Sequence, residues 1–117
     1  MKSLNKKVAA IALLLSATFA NAQMKNAKTE TVKILGNCGM CESKIEKAGN
    51  LKNTAIVDWD KDSKMATITY DTAKTNQDEI LKRIALAGYD SEKNIAQDSS
   101  YNALPGCCQY DREPTKQ

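Results

Sequence analysis

The chain of 117 residues contains no histidine. That removes the side chain most used for proton transfer near neutral pH and the commonest nitrogen ligand for metals. Proline is nearly absent as well: Pro105 and Pro114 both lie close to the C-terminus, so none stands beside a motif in the body of the chain. There is no glycine-rich phosphate loop and no serine-centred nucleophile elbow. Internal repeats and low-complexity tracts are missing too. These absences leave no catalytic constellation, and an enzyme is not expected. The N-terminal apolar stretch, from Val8 to Ala20, is broken by Ser16 and Thr18, whereas a membrane-spanning helix needs roughly 20 apolar residues.

That stretch has another reading. Lys2, Lys6 and Lys7 precede it, and Ala20-Asn21-Ala22 follows with small residues at both ends. A positive segment, a short apolar run and a small-x-small site form the pattern of a secretory signal peptide. Residues 1–22 are assigned to it, with an exported, periplasmic or secreted, mature chain. Gln23 follows the cleavage site, where a lipoprotein would carry cysteine. The full chain has a formal net charge of +3, with 14 Asp+Glu. Removing the leader takes away three lysines and no acid, so the remainder is neutral. Neither nucleic-acid binding nor membrane insertion of the mature chain is expected.

Residues 23–28 read as a loose polar leader. From Thr29 to Leu35, Val32 and Ile34 alternate with polar neighbours, which predicts a half-buried strand. Gly36-Asn37 breaks it. Cys41, Ile45 and Ala48 then recur at helical spacing, and Gly49-Asn50 ends that helix. A hairpin follows: Ala55, Val57 and Trp59 share one side, Asp60 to Ser63 turn, and Ala66, Ile68 and Tyr70 return. Thr75-Asn76-Gln77-Asp78 matches a helix-capping pattern. Ile80, Leu81, Ile84 and Ala87 form the buried stripe after it, closed by Gly88. Tyr89 to Ile95 is expected as a short fourth edge strand. The order strand-helix-strand-strand-helix-strand predicts an α+β, ferredoxin-like βαββαβ domain over residues 29–95, with two helices on one face of a four-stranded antiparallel sheet. Residues 96–117 are expected to be an irregular tail.

The chemistry gathers on four cysteines, Cys38, Cys41, Cys107 and Cys108. Cys38 and Cys41 stand between the first strand and the first helix. Unpaired backbone N–H groups at a helix start favour thiolate over thiol, and Gly39 is expected to let the loop bend so that both sulfurs meet. Two thiolates on a linear ion sit roughly 4.6 Å apart at about 2.3 Å per bond. Two thiolates without imidazole suit a soft ion such as Cu(I). A closed zinc site wants four ligands, so zinc would also need Cys107 and Cys108, Glu42 or a second molecule. Two rival readings remain: a plain disulfide in an oxidising compartment, and thiol–disulfide exchange of the thioredoxin type, which uses a cis-proline beside its motif.

The C-x-x-C between first strand and first helix, the hairpin, and Leu86-Ala87-Gly88-Tyr89 at the second helix end together resemble the heavy-metal-associated domain family, which includes copper chaperones and a periplasmic mercury-binding protein. The resemblance implies that Cys38 and Cys41 ligate the metal, with Tyr89 in a loop near it. It implies a metal chaperone or sequestering protein for Cu(I), with Hg(II), Zn(II) or Cd(II) as alternatives. The partner would be a transporter or another metal-binding domain, and the chain a monomer or a metal-bridged dimer. Leu35-Gly36-Asn37 departs from the family's Gly-Met-x, and the methionine falls inside the loop as Met40, a packing residue or a soft third contact. For Cys107 and Cys108 several readings stay open: auxiliary ligands from a tail folded over the first site, a second soft-metal site, a vicinal disulfide, or two thiols with no shared task. Tyr101 and Tyr110 beside them are candidates for docking the tail on the sheet.

Overall fold

A computed structural model of the chain describes residues 24–113; the segment assigned to the signal peptide lies outside them. Strand β1 (Ala27–Lys33) leads to helix α1 (Gly39–Gly49). Strands β2 (Ala55–Trp59) and β3 (Met65–Asp71) form the hairpin, followed by helix α2 (Gln77–Leu86). The sheet is antiparallel, in the order β1-β3-β2. Ala55, Val57, Trp59, Ala66, Ile68 and Tyr70 point to the buried side, while Ile56 and Met65 face outward. This is the period-two alternation of a half-buried sheet. Cys41, Ile45 and Gly49 of α1, with Ile80, Leu81, Ile84 and Ala85 of α2, cover that face.

Three boundaries differ from expectation. The polar leader already pairs: β1 starts at Ala27, and the Asn26 carbonyl accepts from the Thr72 backbone N–H at 3.1 Å. Helix α2 is capped by Asn76, one residue later than the Thr75 pattern placed it. The Asn76 side chain accepts from the Glu79 N–H at 2.9 Å, and Thr75 Oγ1 donates to Glu79 Oε2. Gly49 is the last residue of α1, where a Cβ would stand 2.4 Å from Val57 Cγ2. Its role is close approach of helix to sheet.

The expected fourth strand is not there. Among the described residues the sheet has three strands. The segment after Tyr89 touches the edge of the sheet at a single bridge, Ile34 with Ser91, flanked by two backbone bonds: Leu35 N–H to Asp90 O and Glu92 N–H to Lys33 O. Ser91 then turns the chain away. Its Oγ accepts from Asn94 N–H, and its own N–H donates to Asn94 O. A polar stretch whose side chains bond its own backbone lacks the apolar, β-branched residues that hold an edge strand in place.

The tail is not irregular either. It contains helix α3 (Asp98–Asn102) and a 3-10 turn at Gly106–Cys108. It docks mainly on the segment after α2, and Glu113 near its end pairs with Lys33 of β1 at 2.6 Å. Gly88, at φ +107°, makes room for it: a Cβ there would lie 2.8 Å from the Ser100 carbonyl and 3.0 Å from Leu104. Among the described residues no helix is long and apolar enough to cross a membrane.

Candidate metal centre

Cys38 is the N-cap of α1, in extended backbone conformation, and its side chain makes no capping bond. The sulfur is therefore not drawn into the helix end. Cys41 lies on the buried face of the first turn and is fully buried, while Cys38 is half-buried. Gly39, expected to bend the loop, is an ordinary first residue of the helix; Gly88 alone among the described glycines has positive φ, and a Cβ on Gly39 meets nothing within 4 Å. The loop is instead anchored from below. Trp59, buried in the core, donates Nε1–H to the Ile34 carbonyl at 2.9 Å, and its ring lies under Gly36. Leu35 packs at the margin of the core.

All four cysteines are free thiols. The Sγ atoms of Cys38, Cys41 and Cys108 lie within 4.8 Å of one another. The sequence motif thus brings its two sulfurs together, and the tail adds a third. Cys107 stays outside this group. It is exposed, with its Sγ 3.6 Å from Met40 Sδ and 3.9 Å from Cys108 Sγ. Its carbonyl accepts from Asn37 Nδ2 at 3.3 Å and is 3.9 Å from Cys38 Sγ. Met40 is half exposed, so it is not the packing residue that its position permitted. Glu42 belongs to a different group, with Glu46 and Asp58.

The electrostatics of the two buried sulfurs are unequal. Burial opposes ionisation of Cys41, but the backbone N–H groups of Asn37 and Cys38, the Cys108 thiol and the Tyr89 hydroxyl outweigh it, and the thiol lies below its ordinary pKa. Cys108 is pushed up to about 12, first by burial, against the opposing pull of Tyr89 and with the help of Cys41. The two neighbouring thiols are thus pushed in opposite directions, Cys41 down and Cys108 up, as expected where two like charges would share one pocket. Tyr89 is fully buried, and its hydroxyl has no hydrogen-bond partner; the sulfurs of Cys41 and Cys108 lie close enough to affect its ionisation. Burial first, then those sulfurs, holds its pKa far above the ordinary phenol value.

The tail reaches the site through aromatic and ionic contacts. Tyr110 stacks on Tyr89, and Tyr101 meets the Tyr110 ring edge-on at 5.0 Å. Tyr110 OH donates to Gly88 O at 2.7 Å and accepts from Asp90 N–H at 2.8 Å. Arg112 grips the buried Asp90 with two bonds, at 2.8 and 2.9 Å, and donates to the Ala96 carbonyl. Sequence reasoning treated Cys107 and Cys108 alike; it named Tyr101 and Tyr110 as docking residues, but against the sheet, and did not see Arg112.

No protein-family model matches the chain, and neither does any curated protein. Among solved structures, a CopZ metallochaperone is similar, with a TM-score of 0.51 and 26% identity over 55% of this chain and 98% of that one.

Proposed function

We propose that this protein binds one soft metal ion, Cu(I) in the first instance, on Cys38 and Cys41, and delivers it to another metal-handling protein by ligand exchange. The observation that carries this reading is the convergence of the two C-x-x-C sulfurs at the mouth of α1, within 4.8 Å in a pocket shared with Cys108. The likeness to a protein titled as a metallochaperone supports it. Thiolates are the ligand class that selects Cu(I) and related soft ions, and the chain offers no imidazole to compete.

The residues divide the work. Cys41, whose thiol is held below its ordinary pKa while that of Cys108 is raised, gives up its proton to the ion more easily than its buried neighbour. Cys38, half-buried in the preceding loop, is the side from which an incoming ion or a partner's thiol approaches. An acceptor thiol bonds the ion before Cys38 lets go, so no free ion is released. Tyr89 presents a hydroxyl to the sulfurs, where a donated hydrogen bond stabilises thiolate charge. The N-terminal pattern in residues 1–22 supports work in an exported compartment.

Titration of the reduced protein with Cu(I), against a chromophoric Cu(I) chelator, tests the reading. One ion per chain is expected, with the binding weakened in Cys38→Ser and in Cys41→Ser and lost when both are replaced. Parallel titrations with Hg(II), Cd(II) and Zn(II) rank the ions. Failure to hold any of the four more tightly than a variant lacking both cysteines would overturn it, and efficient disulfide exchange by such a metal-free protein would favour a redox role.

A further inference from the structure

We infer that Cys108, carried in by the docked tail, is a third ligand to the same ion, so that a single chain closes a three-sulfur site. This rests on the two-cysteine reading above and deepens it. A trigonal ion with bonds of about 2.3 Å holds its three sulfurs about 4.0 Å apart. The Sγ atoms of Cys38, Cys41 and Cys108 already lie within 4.8 Å of one another. Closing the largest of these separations to a trigonal spacing asks for a change of less than about 1 Å.

Three further features point the same way. Cys108 is fully buried, in a tail that also sends Leu104 and Tyr110 into the core, and its sulfur faces the other two. Its position is secured before any ion arrives, by Tyr110 on Tyr89, by Tyr101 OH donating to the Tyr110 carbonyl at 2.5 Å, and by Arg112 on Asp90. A ligand ordered in advance adds its bond without a further entropy cost at binding. The buried Tyr89 hydroxyl has no hydrogen-bond partner and lies beside Cys41 and Cys108, a donor still to be used by a thiolate pair. Cys107 has none of these features. It is exposed and turned toward Met40, so the neighbouring cysteine serves as an internal control.

The consequence is a change of role within the carrier reading. Each cysteine that joins the ion gives up its thiol proton, so closure of the site releases one proton more than a two-sulfur site and leaves one more negative charge on the complex. The position that an acceptor's thiol would take is already occupied. The chain should therefore hold Cu(I) more tightly and give it up more slowly, with departure of Cys108 as the step that opens the ion to a partner.

X-ray absorption on the Cu(I)-loaded full mature chain, kept monomeric as checked by sedimentation, reads the site directly. Three sulfurs around copper are expected in the wild type and in Cys107→Ser, and two in Cys108→Ala. Cys108→Ala should also bind Cu(I) about tenfold more weakly or worse, and pass it faster to a two-thiol peptide. Two sulfurs in the wild type, with binding unchanged by Cys108→Ala, would overturn the inference and leave the two-cysteine site intact. A third sulfur lost in Cys107→Ser, or present only in a dimer, would overturn it too. Absence of bound copper in the wild type would instead sink the carrier reading itself. Should Cys108→Ala fail to fold, by circular dichroism and Trp59 fluorescence, the counts in the wild type and Cys107→Ser decide: three in both supports the inference, and two in either overturns it.

Discussion

The ring of Tyr110 lies on the ring of Tyr89, centroids 5.8 Å apart and planes 19° from parallel. Tyr89 follows the last turn of α2, and Tyr110 follows the cysteine pair of the tail. Their stacking is one of the contacts, with the Arg112–Asp90 pair and the Tyr110 hydroxyl bonds, that hold the tail beside Cys41.

Tyr110→Phe should preserve the stack and lose both hydrogen bonds of the hydroxyl. The Gly88 carbonyl and Asp90 N–H would be left buried without that partner. A loss of about 1–3 kcal/mol in unfolding free energy is expected. It is measured by urea denaturation of the reduced protein. Faster labelling of Cys108 by a thiol reagent should accompany it, while Cys38 keeps its wild-type rate.

Arg112→Ala removes the partner of a carboxylate that is only 3% exposed. Breaking a buried pair from one side costs about 3–5 kcal/mol, and the lower end is expected because the Arg112 side chain is 21% exposed. The double variant Asp90→Asn with Arg112→Ala should recover part of the loss, because no buried charge is left behind. A thermodynamic cycle over the four proteins measures this; a strictly additive result would mean that the pair does not couple the tail to the domain.

Two glycines separate backbone need from sequence habit. Gly88→Ala forces a side chain into positive φ and against Ser100 O and Leu104, so a cost of about 1–3 kcal/mol and a loosened tail are expected. Gly39→Ala meets open space in the first turn of a helix. It should leave the metal site unchanged and stabilise the chain by about 0.5–1 kcal/mol. Thermal melts of both variants, with Cu(I) stoichiometry for the second, check the contrast.

Stability should depend on pH through Tyr70 and Glu30, joined across the sheet by a 2.6 Å bond in which the tyrosine donates. The bond to Tyr70 holds the Glu30 carboxyl below its ordinary value. At acid pH the unfolded chain therefore takes up the proton first. The contribution is present above the ordinary carboxylate range and is lost as pH falls through the folded value. The same bond, with burial, pushes Tyr70 up to about 12. There the folded state keeps its proton longer, so stability is full below the ordinary tyrosine pKa near 10 and declines as pH rises toward 12. Tyr70→Phe should flatten both limbs in denaturation curves taken across that range.

Much of the fold can be read along the chain. The alternation in Ala55-Ile56-Val57-Asp58-Trp59 and in Met65 to Tyr70 marks two strands and their buried side, and Ile80, Leu81 and Ile84 mark the covering helix. These are local periodicities, set by which face of a strand or helix must leave water. The edge after Tyr89 was misread because its backbone does pair with Lys33 and Leu35, but only at one bridge before Ser91 bonds back to Asn94. Such competition between side chain and sheet leaves little trace in a hydrophobic pattern.

The site divides along the same line. By itself the sequence determined that Cys38 and Cys41 stand at a strand–helix junction, because their separation is short and the helix that follows dictates their geometry. It determined as well that any soft-metal ligands would be sulfur and not imidazole, because the chain has no histidine. Only the tertiary structure decided that Cys108 enters the pocket while Cys107 stays in solvent. That choice depends on Tyr110 meeting Tyr89 and Arg112 meeting Asp90 across a long loop. Contacts between distant segments are selected by the packing and charge pairing of whole surfaces, which no local periodicity encodes.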